Sequence, residues 1–187
     1  TPITEAQKEL SKYAKTLIHP IDTDIKWDEA ILHLLRNKSY NVSRFYNGTF
    51  EQEIIQLLKG EHYDIVQLEG TFAAPYIAAV RNNHKGLLAL RMHNVEYEIW
   101  ERLALVEGNP IKKLYLTLLA KQLKAYETKI IQEVDVITTV TDDDGEKFKK
   151  LHPNGKFKTI PAGIDLREWT YSPSKSTTNW YHIGSME

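Results

Sequence analysis

The chain has 187 residues, 42% of them hydrophobic, with 24 Lys and Arg against 25 Asp and Glu for a formal net charge of −1. That balance belongs to a globular chain rather than a disordered or collagen-like one, and near-zero charge argues against nucleic acid as the main partner, because phosphate binding is driven by clustered Lys and Arg. With no cysteine, disulfides, thiolate zinc sites and a cysteine nucleophile are excluded.

In chain order, Thr16-Leu17-Ile18 reads as a short strand ending at Pro20, and Trp27 to Leu35 as a helix with apolar residues at Trp27, Ile31, Leu34 and Leu35. Thr49-x-x-Gln52 predicts a capping box opening a helix with Phe50, Ile54, Leu57 and Leu58 on one face, stopped by Gly60. Asp64 to Leu68 is a strand. Phe72 to Val80 reads as a helix with Pro75 in its first turn, and Leu87 to Met92 as a second strand. A helical region follows from about Val95 to Val134, broken near Gly108-Asn109-Pro110. Its second half carries Leu116, Leu119, Leu123, Tyr126 and Ile130 at helical spacing. Val136 to Val140 is a third strand, Thr141-Asp142-Asp143-Asp144 caps a helix bearing Phe148 and Leu151, and Phe157 to Ile160 is a fourth strand. Ser172 to Thr178 reads as a polar linker, and Trp180 to Ile183 as a strand running into a turn.

Strand and helix alternate, and the strands are near-continuous apolar runs, the mark of a parallel sheet buried on both faces. The expected fold is therefore α/β, a Rossmann-like parallel sheet flanked by helices, with right-handed crossovers placing helices on both sides. No stretch approaches the ~20 apolar residues that span a bilayer. No signal-peptide pattern opens the chain, so a cytoplasmic location is expected.

Ligands of an open parallel sheet bind beyond the carboxyl ends of its strands. The residues falling there are Glu69-Gly70-Thr71, then His93-Asn94-Val95-Glu96 following Arg91, then Thr141-Asp142, then Pro161-Ala162-Gly163-Ile164-Asp165. Thr71, Asn94 and Thr141 are natural N-caps for the helices that follow. Gly163 reads as a turn glycine at positive φ. His93 closes an otherwise apolar strand and is the leading functional candidate. Glu69 is either a working carboxylate or a solvated loop residue. No histidine and carboxylate pattern has metal-ligand spacing, and consecutive acids at 142–144 suit the positive end of a helix dipole. Neither GxGxxG nor GxxxxGK[ST] is present.

Taken together, Asp64-Ile-Val-Gln-Leu-Glu-Gly70, Arg91-Met-His-Asn-Val-Glu96 with Trp100-Glu101-Arg102, Tyr126-Glu127 leading to Val134-Asp135-Val136-Ile137, Thr159-Ile-Pro-Ala-Gly-Ile-Asp165 and Ile183-Gly184-Ser185-Met186-Glu187 resemble glycosyltransferase family 4, of GT-B architecture. The resemblance runs from about Ile18 to the end. It implies that residues 1–169 are an incomplete N-terminal, acceptor-side domain lacking its first strand, and that residues 170–187 are the linker and first strand of a donor domain. It also implies a metal-independent, cofactor-free transfer of sugar, with retention, from a nucleotide-sugar donor to a glycan or lipid-linked acceptor.

In that frame His93 is the catalytic histidine that contacts the donor sugar. Glu69, Gly70, Arg91, Asn94, Glu96 and Thr141 bind substrate, and Gly163 and Asp165 form the hinge. Ala162 departs from the asparagine common at that point of the family. The glycine-rich loop of the family's first strand does not occur, and neither does the donor-domain segment that carries the family's Glu-x7-Glu motif, the Glu53–Glu61 and Glu61–Glu69 spacings falling in the acceptor-side part, so the chain alone is expected to be inactive. Lys112, Lys113, Lys121 and Lys124 beside Leu114, Tyr115 and Leu118 allow a peripheral membrane contact, or simply a solvated lysine face. A sugar-nucleotide epimerase of the same architecture and a non-catalytic α/β binding module, with a large exposed apolar patch, are the competing readings.

Overall fold

The computed structural model describes residues 2–24 and 39–163. The helix expected at Trp27–Leu35, the hinge residue Asp165, the linker and the strand at Trp180–Ile183 lie outside the described residues. In chain order the elements are α1 (Pro2–Leu10), α2 (Tyr40–Ser43), α3 (Gly48–Gly60), β1 (Ile65–Glu69), a 3₁₀ turn (Thr71–Tyr76), α4 (Ile77–Asn83), β2 (Leu87–Met92), α5 (Glu96–Val106), α6 (Pro110–Ile130), β3 (Val136–Thr139), α7 (Asp142–Leu151) and β4 (Phe157–Thr159). The four strands form one parallel sheet in the order β1-β2-β3-β4, so the chain is α/β and Rossmann-like.

Local chemistry sets most boundaries. Asn109 caps α6, its Oδ1 accepting from the amides of Ile111 and Lys112 at 3.0 and 3.1 Å, and Pro110 fills the first helical position, where no amide is needed. Thr141 caps α7 as expected, its Oγ1 accepting from the Asp144 amide at 3.2 Å. Three expectations are corrected. Residues 15–20 form neither strand nor helix: Leu17 and Ile18 are exposed, and an apolar pair without a strand partner has nothing to hold it extended. The cap of α3 is Asn47, whose Oδ1 accepts from the amides of Thr49 and Phe50, so the Thr49–Gln52 box lies inside the helix. The segment 72–80 is not one α-helix, because Pro75 has no amide to donate and the chain stays 3₁₀ until Ile77.

The register divides the sheet residues between two faces. Register puts Val66, Leu68, Leu88, Leu90, Met92, Ile137 and Phe157 on one face and Ile65, Gln67, Glu69, Leu87, Ala89, Arg91, Thr138 and Lys158 on the other. The main core joins the first face to Ile77 and Val80 of α4, Leu123 and Ile130 of α6, and Phe148 of α7. On the second face Ile65 and Leu87 remain 57% and 50% exposed. The middle of that face is nevertheless covered, since Ala89 and Thr138 are buried. Glu69 and Arg91 stand at the carboxyl end of that second face.

Candidate functional site

The carboxyl edge of the sheet brings Glu69, Arg91 and His93 together. Glu69 ends β1 and is the register partner of Arg91 in β2, so both side chains leave the same face. His93 follows one residue after β2. Its Nε2 lies 2.7 Å from Glu69 Oε2, while Arg91 Nε approaches the same oxygen at 3.9 Å. Gln67, two residues back on the same face, donates to Glu69 Oε1. Burial works to raise the Glu69 carboxyl, but the hydrogen bonds from Gln67 and His93 and the charges of His93 and Arg91 outweigh it and hold the group below the usual carboxylate range. Glu69 is therefore ionised near neutrality and can only accept, so the His93 Nε2 carries the proton between them and, in the neutral ring, Nδ1 remains an acceptor.

Gly70 makes this turn. Its φ of 78° and ψ of 166° fall in a region essentially reserved for glycine, and its amide donates to the Arg91 carbonyl at 2.7 Å. Gly163, expected at positive φ, is exposed and does not adopt it; the left-handed position is Gly70. Arg91 also donates through Nη2 to the Ile160 carbonyl at 3.3 Å, which ties the loop after β4 to the same edge.

The other expected residues divide. Thr141 is engaged as the α7 cap, donating to Asp144 Oδ2 while accepting from its amide. Asn94 is exposed and is not a cap; its Nδ2 reaches Glu96 Oε1 at 3.4 Å. Thr71 does not cap the 3₁₀ turn either. The amides at the start of α5 are met instead by Glu127, which the sequence showed only as part of the Tyr126-Glu127 pair. Glu127 of α6 is fully buried. Its Oε1 accepts from Thr71 Oγ1 at 2.8 Å and from the Glu96 amide at 3.3 Å, and its Oε2 accepts from the Tyr97 amide at 3.1 Å. This carboxylate, supplied from another helix, satisfies the free amides at the start of α5. Burial pushes its pKa up to about 7, against the pull of Thr71 and the two amides and with a further push from the Glu96 charge. The available signal was a glutamate at a position of α6 whose neighbours in the helical stripe, Leu123 and Ile130, are core residues; Tyr126, read as part of that stripe, is only partly buried.

Asp135, part of the segment leading into β3, lies at the opposite edge. It accepts from Arg81 Nη1 at 2.9 Å and from the Leu88 amide at 2.8 Å, a tie between α4, β2 and β3 rather than a ligand site. Beside Glu69 runs a groove of about 440 Å³ lined by Ile21, Phe45, Phe50, Ile54, Phe72 and Tyr76, with Gln67 and Glu69 as its polar groups. A larger hollow of about 690 Å³ follows the outer edge of β4 between Asp142, Lys149 and Lys158; it is away from the Glu69–His93 pair. Among the described residues no group of three or more His, Asp or Glu side chains is placed to hold a metal ion, and no helix is long and apolar enough to cross a membrane. No protein-family model matches the chain, and no curated protein matches it.

Proposed function

We propose that this chain is the acceptor-side part of a retaining glycosyltransferase of GT-B architecture, with the donor nucleotide held by a second domain. The observation that carries the reading is the hydrogen bond between His93 and Glu69 at the carboxyl edge of a parallel sheet, beside an apolar groove with few polar groups, the usual make-up of a small-molecule site. The sequence resemblance supplies the reaction class. In the proposed step the bond from the anomeric carbon to the donor diphosphate breaks. The bond to the acceptor oxygen forms on the same face, and the acceptor proton passes to the departing diphosphate. His93, its Nε2–H held by Glu69, presents Nδ1 to a hydroxyl of the donor sugar. Glu69 and Gln67 face the acceptor in the groove. The work of these groups is positioning, because fixed geometry supplies a large part of the barrier reduction for such transfers.

The test is a thermal-shift panel of UDP-, GDP- and ADP-sugars on the protein carrying both halves, with this chain alongside. A ligand at 100 times its Kd stabilises by about 2.7 kcal/mol. The expected result is a shift of several degrees with one nucleotide class in the two-domain protein, none in this chain, and loss of sugar transfer in His93→Ala. Absence of any shift, or turnover by this chain alone, contradicts the proposal.

A second reading concerns a partner. Leu105, Val106, Ile111 and Leu114 around the α5–α6 turn are 73, 83, 79 and 61% exposed, with Lys113 and Lys121 beside them. This patch favours peripheral docking on an anionic membrane by an enzyme of this class. A protein partner on the same patch is what a non-catalytic module would use.

A further inference from the structure

We infer that Glu127 is the positioning residue of this site: its buried carboxylate fixes the segment after β1 against the segment after β2, and so sets the contact between Glu69 and His93. The argument is one of short tethers. The Gly70 amide to the Arg91 carbonyl is the last backbone bond between these two strand ends. Beyond it the chains diverge, one into the 3₁₀ turn and one into α5. Thr71, which donates to Glu127 Oε1, stands two residues after Glu69. The Glu96 and Tyr97 amides, which donate to the same carboxylate, stand three and four residues after His93. Tethers this short leave little slack, since each residue spans at most ~3.3–3.6 Å.

The three donors are unlike one another, a hydroxyl and two backbone amides, and all three meet one side chain that reaches them from α6. Both Glu127 and Thr71 are shut off from water, so none of these bonds is replaced by solvent when broken. The pair that Glu127 brackets is by contrast half-exposed, at 53% for the His93 side chain and 51% for Glu69. Beyond each other, these side chains are met by Gln67 at Glu69 Oε1 and by the Arg91 charge, both on the Glu69 side. A rigid buried clamp beneath an exposed working pair is how such geometry is kept fixed.

The importance of the pair for sugar transfer rests on the proposed function, but the positioning itself is read without sugar. The experiment is ring-nitrogen NMR of His93 in this chain, assigned with His93→Asn. The wild-type ring is expected to show a protonated, hydrogen-bonded Nε2, and Glu69→Ala to show the ring released from that bond. Glu127→Gln keeps the side-chain shape but turns an amide NH₂ toward donors. Its His93 spectrum is expected to match that of Glu69→Ala while its helical circular dichroism is retained. Thr71→Val, which removes one of the three bonds, is expected to move the spectrum part of the way, and Thr71→Ser to restore it. The threonine pair decides the matter if Glu127→Gln does not fold. A wild-type His93 spectrum in folded Glu127→Gln or in Thr71→Val overturns the inference. In the two-domain protein the same variants are expected to lower kcat on the order of 10²-fold with KM little changed, the cost of a misplacement near 1 Å. A wild-type protein that transfers no sugar would overturn the proposed reaction alone and leave this inference to the ring spectrum.

Discussion

Glu127 makes the stability of the fold depend on pH in a direction opposite to that of most carboxylates. Its folded pKa is about 7 against an ordinary value of 4.5, because burial disfavours the charged form more than three donors favour it. The folded state therefore holds a proton between those two pH values while the unfolded state has lost it. The resulting stability is fully present below pH 4.5 and is lost as pH rises through 7. That gap corresponds to about 3 kcal/mol. The groups facing the carboxylate are Thr71 from the 3₁₀ turn and Glu96 and Tyr97 from α5, and of these only Glu96 adds charge, which strengthens the effect. Urea unfolding at pH 4.5, 6 and 7.5 is expected to show wild-type protein losing about 3 kcal/mol relative to Glu127→Gln over that range. Parallel pH profiles would contradict it. The sequence exposes His93 and Glu69 as candidates because they end apolar strands. Glu127 appears in the sequence only within the Tyr126-Glu127 pair, and its role is hidden, since a glutamate in a helix ordinarily reads as solvent-facing and only the three-dimensional meeting of α6 with two strand ends gives it donors.

The elements were legible where one signal dominates and misread where two compete. Pro110 after Asn109 can only open a helix, and it does. At the start of α3 two cap patterns overlap within three residues. Thr49 and Gln52 satisfy a capping-box spacing, yet Asn47 lies at the chain's entry into the helix, in extended backbone at φ −135° and ψ 121°. Asparagine is a stronger cap than threonine, and the Asn47 amide is itself held by the Tyr76 hydroxyl at 2.9 Å, a long-range anchor that no local pattern contains. Asn47→Ala is expected to lower stability by ~1 kcal/mol, read as a shift in urea midpoint. Thr49→Ala, inside the first turn, is expected to change it by under ~0.5 kcal/mol. The reverse ranking would restore the Thr49 box as the true cap. The carboxyl-edge placement of the site followed from the alternation of strand and helix alone.

At the scale of the molecule, large apolar residues are exposed among the described residues at the start of β1 and β2, Ile65 and Leu87, and at the tip of the α5–α6 hairpin. Their charged neighbours differ. Glu69 and Gln67 share the sheet face with Arg91 and Lys158, a mixed surface, whereas near the hairpin tip Lys113 stands beside Glu101, and Lys121 lies further along α6. Along α6 the inward stripe is Leu116, Leu119, Leu123, Glu127 and Ile130. A second stripe, Ile111, Leu114, Leu118 and Lys121, repeats at spacings of three and four on the other side of the helix, and its three apolar members are exposed. A helix apolar along two opposite stripes has one more face than its own core uses. Lys112 is paired with Glu107 at 2.7 Å and adds little free charge, which leaves Lys113 and Lys121 to meet anionic headgroups at about 1 kcal/mol each. Vesicles containing phosphatidylserine are expected to co-sediment with the protein at low salt. Lys113→Glu with Lys121→Glu is expected to weaken that partition by at least ~30-fold, since about 2 kcal/mol at 1.4 kcal/mol per tenfold is lost before any repulsion is added. Ile111→Ser with Leu114→Ser is expected to weaken it further at high salt, where screening has removed the charge contribution and only apolar burial is left. Binding that is indifferent to both salt and the lysine pair would assign the tip to a protein partner instead, and with it would favour the module over the membrane-docked enzyme.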